Sequence, residues 1–187
     1  MRVIAGSARG TKLAALPGED VTRPTIDRVK EAMFSSLQFS LPGARVLDLF
    51  GGSGQLGIEA LSRGAAHCTF LDQDRDAVNI IMANCKAAGV FKQARVTLGE
   101  AERFLGATAK DSFHIVLMDP PYGQGTIEKL LPLVDKVLMP GGILFCESEL
   151  SASLPDECGG LKKAKQKHYG KILVTRYEKD RAEEEIF

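Results

Sequence analysis

Two short stretches carry residue types that could do chemistry. The first runs Asp48-Leu49-Phe50-Gly51-Gly52-Ser53-Gly54-Gln55-Leu56-Gly57, a carboxylate followed by glycines 52, 54 and 57 in the G-x-G-x-x-G spacing. That spacing suits a tight strand-to-helix turn whose backbone N–H groups face a ligand. Taken alone, it fits a plain structural turn as well. An acid at its entrance would repel a diphosphate and suits a ligand with a cationic centre and an amino group. About twenty residues later Asp72 ends the next apolar run, where an acid can bridge a ribose diol. Ribose and positive charge without phosphates describe S-adenosylmethionine. Its expected site is Asp48, Gly51, Ser53, Gly54 and Asp72. Asp74 competes for the ribose but is better placed as the N-cap of the following helix. Glu100 either accepts a hydrogen bond from the adenine amine or supplies first-turn charge to a short helix over 100–105, and both readings stay open.

The second stretch is Val116-Leu117-Met118-Asp119-Pro120-Pro121-Tyr122-Gly123. An apolar run ends in one carboxylate, two prolines that cannot donate backbone hydrogen bonds, and a ring. An acid and an aromatic are thereby held side by side on a stiff turn.

The elements that must position these groups follow from periodicity. Residues 2–5 and 11–16 flank a Gly-rich stretch and predict a small N-terminal hairpin. Thr25 is placed to N-cap a helix through about Leu37, with Ile26, Val29, Met33, Phe34 and Leu37 on one face. From residue 44 strands and helices alternate. Strands are expected at 44–50, 67–72, 94–98, 113–119 and 142–147, with a final strand or hairpin within 161–178. Helices are expected at 54–63, 74–88 (Val78, Ile81, Met82 and Cys85 inward) and 126–138, the last with Pro132 inside it. Alternation of this kind predicts an α/β fold, a mostly parallel sheet with helices on both faces, whose ligands bind beyond the carboxyl ends of the strands. Asp48, Asp72 and Asp119 all fall at such ends. We expect an extension over 1–43 and a catalytic domain over 44–187.

Composition narrows the classes. The 187 residues fit one domain, 44% are apolar, and 24 Lys+Arg balance 24 Asp+Glu, so there is no global nucleic-acid signal. The longest apolar runs fall far short of the roughly 18 residues of a membrane span, and the N-terminus lacks a signal-peptide core. Cys68, Cys85, Cys146 and Cys158 are widely spaced with no CxxC pair. That pattern fits a reducing cytoplasm and suggests neither a disulfide framework nor a metal site. His67 and His114 begin strands and read as structural.

The Asp-Pro-Pro-Tyr turn after strand four, with the glycine loop after strand one, resembles the methyltransferases that alkylate exocyclic nitrogens of nucleic-acid bases. Within them, RVIAGSARGTKL, TRPTIDRVKEAMF and VLDLFGGSGQLGIEALSRGA, in that order along nearly the whole chain, are similar to the RsmD family of 16S ribosomal RNA guanine-N2 methyltransferases. Gly51 stands where that family usually has alanine, Gln55 where a small residue is common, and Asp72 where Glu is frequent. The resemblance implies a Rossmann-like class I fold with a seven-stranded sheet, S-adenosylmethionine as cofactor, and a guanine N2 as acceptor. A base amine is a poor nucleophile, its lone pair being delocalised into the ring. Asp119 is expected to accept one amine N–H and the Pro120 carbonyl the other, both bonds strengthening as charge develops on nitrogen. Tyr122 offers an extruded base a stacking face worth about 1–3 kcal/mol.

For RNA, residues 1–30 carry Arg2, Arg9, Lys12, Arg23, Arg28 and Lys30 against three acids, and residues 161–177 carry Lys162, Lys163, Lys165, Lys167, Lys171 and Arg176 with none. Arg9, Lys12, Arg23 and Arg28 are the expected phosphate contacts, since the resemblance places the hairpin and first helix beside the catalytic mouth. Arg23, Thr25 and Arg28 fit either cofactor or RNA. The lysine run fits either RNA or a solvated sheet edge. Little chain remains outside the sheet for a sequence-reading domain, which favours a preformed shape, 16S rRNA in an assembling small subunit, over duplex DNA. The other readings are a DNA adenine-N6 or cytosine-N4 methyltransferase, a nucleotide-dependent oxidoreductase, and a non-catalytic RNA-binding assembly factor.

Overall fold

The computed structural model describes residues 1–17 and 24–181, the side chains of 24–26 excepted. Five helices and eight strands fold as α1 (Pro24–Leu37), β1 (Arg45–Asp48), α2 (Gln55–Ser62), β2 (His67–Asp72), α3 (Arg75–Ala87), β3 (Ala94–Leu98), α4 (Ala101–Ala107), β4 (Phe113–Met118), α5 (Thr126–Val137), β5 (Leu138–Glu149), β6 (Glu157–Cys158), β7 (Leu161–Tyr169) and β8 (Ile172–Lys179). One sheet contains every strand in the order β3-β2-β1-β4-β5-β8-β7-β6. The first five are parallel, and β8, β7 and β6 add on antiparallel. The seven strands expected are all present, and the two-residue β6 makes an eighth.

Strand β1 is buried after its first residue because both faces are covered. On one face Val46, Phe70, Leu117 and Phe145 pack against Val29, Phe34 and Leu37 of α1, Ile58 of α2 and Ile81 of α3. On the other, Leu47, Leu71, Val116 and Leu144 meet Leu105 of α4 and Ile127, Leu131 and Val134 of α5. Strand order reverses between β1 and β4, and in open α/β sheets the crevice at such a switch point is where ligands sit. Asp48 ends β1 and Asp119 follows β4 there.

The N-terminus pairs with itself only briefly. The expected hairpin is present but minimal: around the antiparallel bridge of Arg2 to Lys12, the Val3 N–H donates to the Thr11 carbonyl and the Leu13 N–H to the Met1 carbonyl, both at 3.0 Å, and residues 1–14 continue as an arm. Beyond the bridge its backbone turns to α2. The N–H groups of Ile4 and Ala5 donate to Glu59 at 2.8 and 3.0 Å, and that of Ala8 donates to Ser62 at 2.9 Å. Val3, Ala8 and Leu13 of the arm join the same core as α1. Lys30, counted above among the basic residues, is 1% exposed; its ammonium donates to the Arg2 carbonyl at 2.7 Å and lies 3.5 Å from Glu59. It is a core cation, unavailable to RNA. Helix α1 begins at Pro24, so Thr25 lies within its first turn rather than at the cap. The His114 imidazole accepts the Arg45 N–H at 3.0 Å, a structural role as expected.

Candidate active site

The glycine loop is shaped by close approach. Gly57 brings α2 against β2 so tightly that a Cβ would stand 2.2 Å from the Phe70 ring. Its N–H can therefore reach back to the Asp48 carboxylate at 2.9 Å. Gly54 caps α2 with φ of 79°, a left-handed conformation that favours glycine. Gly51, where the resembled family has alanine, would set a Cβ 2.7 Å from Ile81, so the departure is matched by a neighbouring side chain.

Asp72 accepts the Gly52 N–H on one oxygen and the Asp74 N–H on the other, both at 2.9 Å, which leaves each oxygen a lone pair for a diol. Asp74 accepts the Asp76 N–H at 2.8 Å as the N-cap of α3. Asp74 is thus the N-cap its position suggested, and Asp72 lines the cleft. Asn84 was missed. It sits in the inward stripe of α3, 2% exposed, and its amide donates to the carbonyls of Ser53 and Ala14 while its oxygen accepts the Ala14 N–H. One side chain ties the arm to the glycine loop.

These elements border a cleft of about 460 Å³, within the usual range for small-molecule sites. Asp48, Gly51, Ser53, Asp72, Asp119, Pro120 and Tyr122 all line it, together with Leu16, Gln73 and Ala77. Asp48 and Asp119 thus open into one shared hollow. The Tyr122 ring is 49% exposed at its rim. Gly54 shapes the loop from behind the wall. Glu100 is exposed at the N-terminus of α4 and does not line the cleft. Arg9, Lys12 and Arg28 are exposed. Arg23 lies outside the described residues.

The electrostatics select the ligand. Among the described residues the cleft is lined by four aspartates, Asp48, Asp72, Asp74 and Asp119, and by no Lys or Arg. Burial pushes the Asp48 carboxyl up to about 7, opposed by the Gly57 N–H and reinforced by the charges of Asp119 and Asp72. A diphosphate entering here would meet repulsion, whereas a sulfonium and an ammonium would relieve it. The donor set therefore fits S-adenosylmethionine and not a pyridine dinucleotide. Burial and nearby carboxylates push the Tyr122 phenol up to about 12, so its ring is neutral and flat. Among the described residues no group of His, Cys, Asp and Glu could hold a metal ion, and no helix is long and apolar enough to cross a membrane.

A family model described as "Conserved hypothetical protein 95" matches residues 1–178. The chain is 42% identical to "Putative rRNA methyltransferase YlbH" of Bacillus subtilis over 183 residues, covering 96% of this chain and 99% of that one. It is 34% identical over 182 residues to "Ribosomal RNA small subunit methyltransferase D" of Escherichia coli, covering 96% and 90%. Among solved structures, "Putative methyltransferase yhhF" of Escherichia coli superposes with a TM-score of 0.83 at 32% identity, covering 97% and 99%. An RNA methyltransferase from Salinibacter ruber solved with S-adenosylhomocysteine shares the fold at 18% identity and a TM-score of 0.64.

Proposed function

The chain belongs to the Conserved hypothetical protein 95 family of RsmD-type, S-adenosylmethionine-dependent methyltransferases, and on that footing we propose that it methylates the exocyclic N2 of a guanine in 16S rRNA of the small ribosomal subunit, in the cytoplasm. The observation that carries this reading is the single cleft shared by Asp48 and Asp119 with the half-exposed Tyr122 ring at its rim. The cofactor, when bound, supplies an electrophilic methyl group on a sulfonium.

The protein's own groups do the rest. Asp48 faces the ligand's positive charge, Asp72 the ribose hydroxyls, and Gly51 and Ser53 set the loop's distance from it. Asp119 accepts one N–H of the base amine and the Pro120 carbonyl the other. Both bonds strengthen as nitrogen becomes tetrahedral, which lowers the barrier selectively. Tyr122 stacks on the extruded base, and its truncation to alanine is expected to raise KM for RNA about tenfold. Orientation of amine and methyl supplies much of the remaining acceleration.

The bases for RNA contact are exposed Arg9, Lys12 and Arg28 near the arm, with Arg23 retained from the sequence. The lysine run divides. Lys162 and Lys163 pair with Asp180 and Asp156 at 3.1 and 2.8 Å. Beyond the register shift between Lys163 and Lys165, Lys165 and Lys167 line a hollow with Arg176, Phe145 and Tyr169 beside α1. Residues 169–172 turn at the same end of the sheet as Glu149 of β5, the end that carries Asp119. Lys165, Lys167 and Lys171 are the half assigned to phosphates.

Labelled S-adenosylmethionine offered with naked 16S rRNA, undermethylated small subunits, and DNA tests the reading. Label in N2-methylguanosine from rRNA or subunits is expected. Label confined to DNA would overturn it.

A further inference from the structure

Four neighbouring parallel strands carry an acid toward their carboxyl ends on the same face of the sheet. Val46, Phe70, Leu117 and Phe145 point into one core, and two residues further along each strand stand Asp48, Asp72, Asp119 and Glu147. Met118 is in register with Cys146, so Asp119 and Glu147 are the next pair on β4 and β5, and each feels the other's charge. Three of these acids have roles above. Glu147 has none. It is partly buried, and among the described residues no cation pairs with it.

Glu147 lines a second hollow of about 70 Å³ that shares Pro120, Pro121 and Tyr122 with the main cleft. The hollow adjoins the Pro120–Tyr122 turn, and Glu147 stands in register beside Asp119, so it continues the path of a base whose amine faces Asp119.

We propose that Glu147 accepts the ring N1–H of the guanine whose N2 amine faces Asp119, and thereby selects guanine. The inference rests on the guanine-N2 reading above and adds the residue that reads the base edge. Adjacent strands lie about 4.8 Å apart, so two carboxylates on β4 and β5 present acceptors to two neighbouring donors. Guanine has such a pair in N2–H and N1–H. Adenine and cytosine carry a lone pair on the ring nitrogen beside the amine, which a carboxylate repels. Burial first, and then the Asp119 charge, push the Glu147 carboxyl up to about 8. The charge acting on it is that of Asp119 from the turn after β4. Tyr122, Glu128 and Glu149 line the same hollow. Its β8 partner is the uncharged Val174, and Lys167 stands in register beyond Val174 on β7. Accepting N1–H favours the ionised form, so guanine binding releases a proton, and KM for RNA falls as pH rises from 7 toward 8.

The test uses 16S rRNA whose target guanosine is replaced by 2-aminopurine riboside, which keeps the amine and lacks N1–H. The wild-type protein is expected to prefer guanosine by about 10- to 100-fold in kcat/KM, the loss of a hydrogen bond to a charged group. Glu147→Ala reduces the preference to within about threefold, with S-adenosylhomocysteine affinity unchanged. Glu147→Gln keeps an acceptor oxygen, so it keeps the preference and loses the pH dependence of KM. An undiminished preference in Glu147→Ala, or an unchanged pH profile in Glu147→Gln, overturns the proposal, the second readout serving if the alanine variant fails to fold. Absence of methyl transfer to guanosine by the wild-type protein brings down the parent reading instead.

Discussion

Asp48 and Glu59 are both buried acids, 1% and 0% exposed, on consecutive elements of the same chain. Glu59 lies in the seam between α2 and the N-terminal arm. It accepts from the Ile4 and Ala5 N–H groups and from Arg63 at 2.8 Å, with the Lys30 ammonium at 3.5 Å. Asp48 lies at the open end of the sheet and accepts a hydrogen bond from the Gly57 N–H at 2.9 Å. The seam satisfies its charge from within. The cleft leaves its charge to be satisfied by what binds. A buried carboxylate with its full set of donors is architecture; one with a deficit of positive charge is a binding site.

The sharpest division between the two ends is catalytic. Asp119→Ala is expected to lower kcat by about a thousandfold while leaving S-adenosylhomocysteine affinity within a few fold, measured by single-turnover methyl transfer and calorimetry. Wild-type activity would remove the role given to this residue. At the seam, Glu59→Ala strands the Lys30 ammonium and two arm N–H groups, with an expected loss of about 3–5 kcal/mol of stability in denaturant titration. A loss under 1 kcal/mol would show the seam to be dispensable.

Asp48→Asn should do the reverse. The folded carboxyl sits at about 7, above an unfolded value of about 3.9, so the folded state is penalised increasingly as pH rises from 4 to 7. Removing that charge raises Tm by several degrees at pH 8, with the gain vanishing near pH 4, and weakens S-adenosylhomocysteine at least tenfold. For the wild-type protein the same linkage makes cofactor affinity fall as pH drops below 7. An Asn variant that is less stable at pH 8 breaks the comparison. The smallest effect belongs to the sheet edge. Removing Lys165 and Lys167 together should weaken RNA binding several-fold and reduce its salt slope by about 1.5–2, read by filter binding across salt concentrations.

Much of this arrangement was legible in advance, and unevenly so. Strand β2 falls where periodicity put it because a buried parallel strand leaves a compact apolar signature, and β3 falls where expected although it is an edge strand with no fully buried residue. The Asp48 and Asp119 pairing was readable because strand-end acids in an alternating α/β chain converge at the switch point. The arm was legible only as a short hairpin. That its Ile4, Ala5 and Ala8 N–H groups go to Glu59 and Ser62, more than fifty residues away, is announced by nothing local. Asn84 was hidden for a related reason, being a polar residue in an otherwise apolar stripe. Lys30 was misassigned because composition counts charge without seeing depth. Glu147 carried a usable signal: it closes the apolar run of β5 as the three aspartates close those of β2, β1 and β4.

The Asn84 clasp makes the lip of the molecule and its cofactor loop a single mechanical piece. Three bonds from one amide hold Ala14 by both backbone groups and Ser53 by its carbonyl. Whatever firms the loop steadies the arm through that amide, and the reverse holds equally, because a coupling between two places is reciprocal.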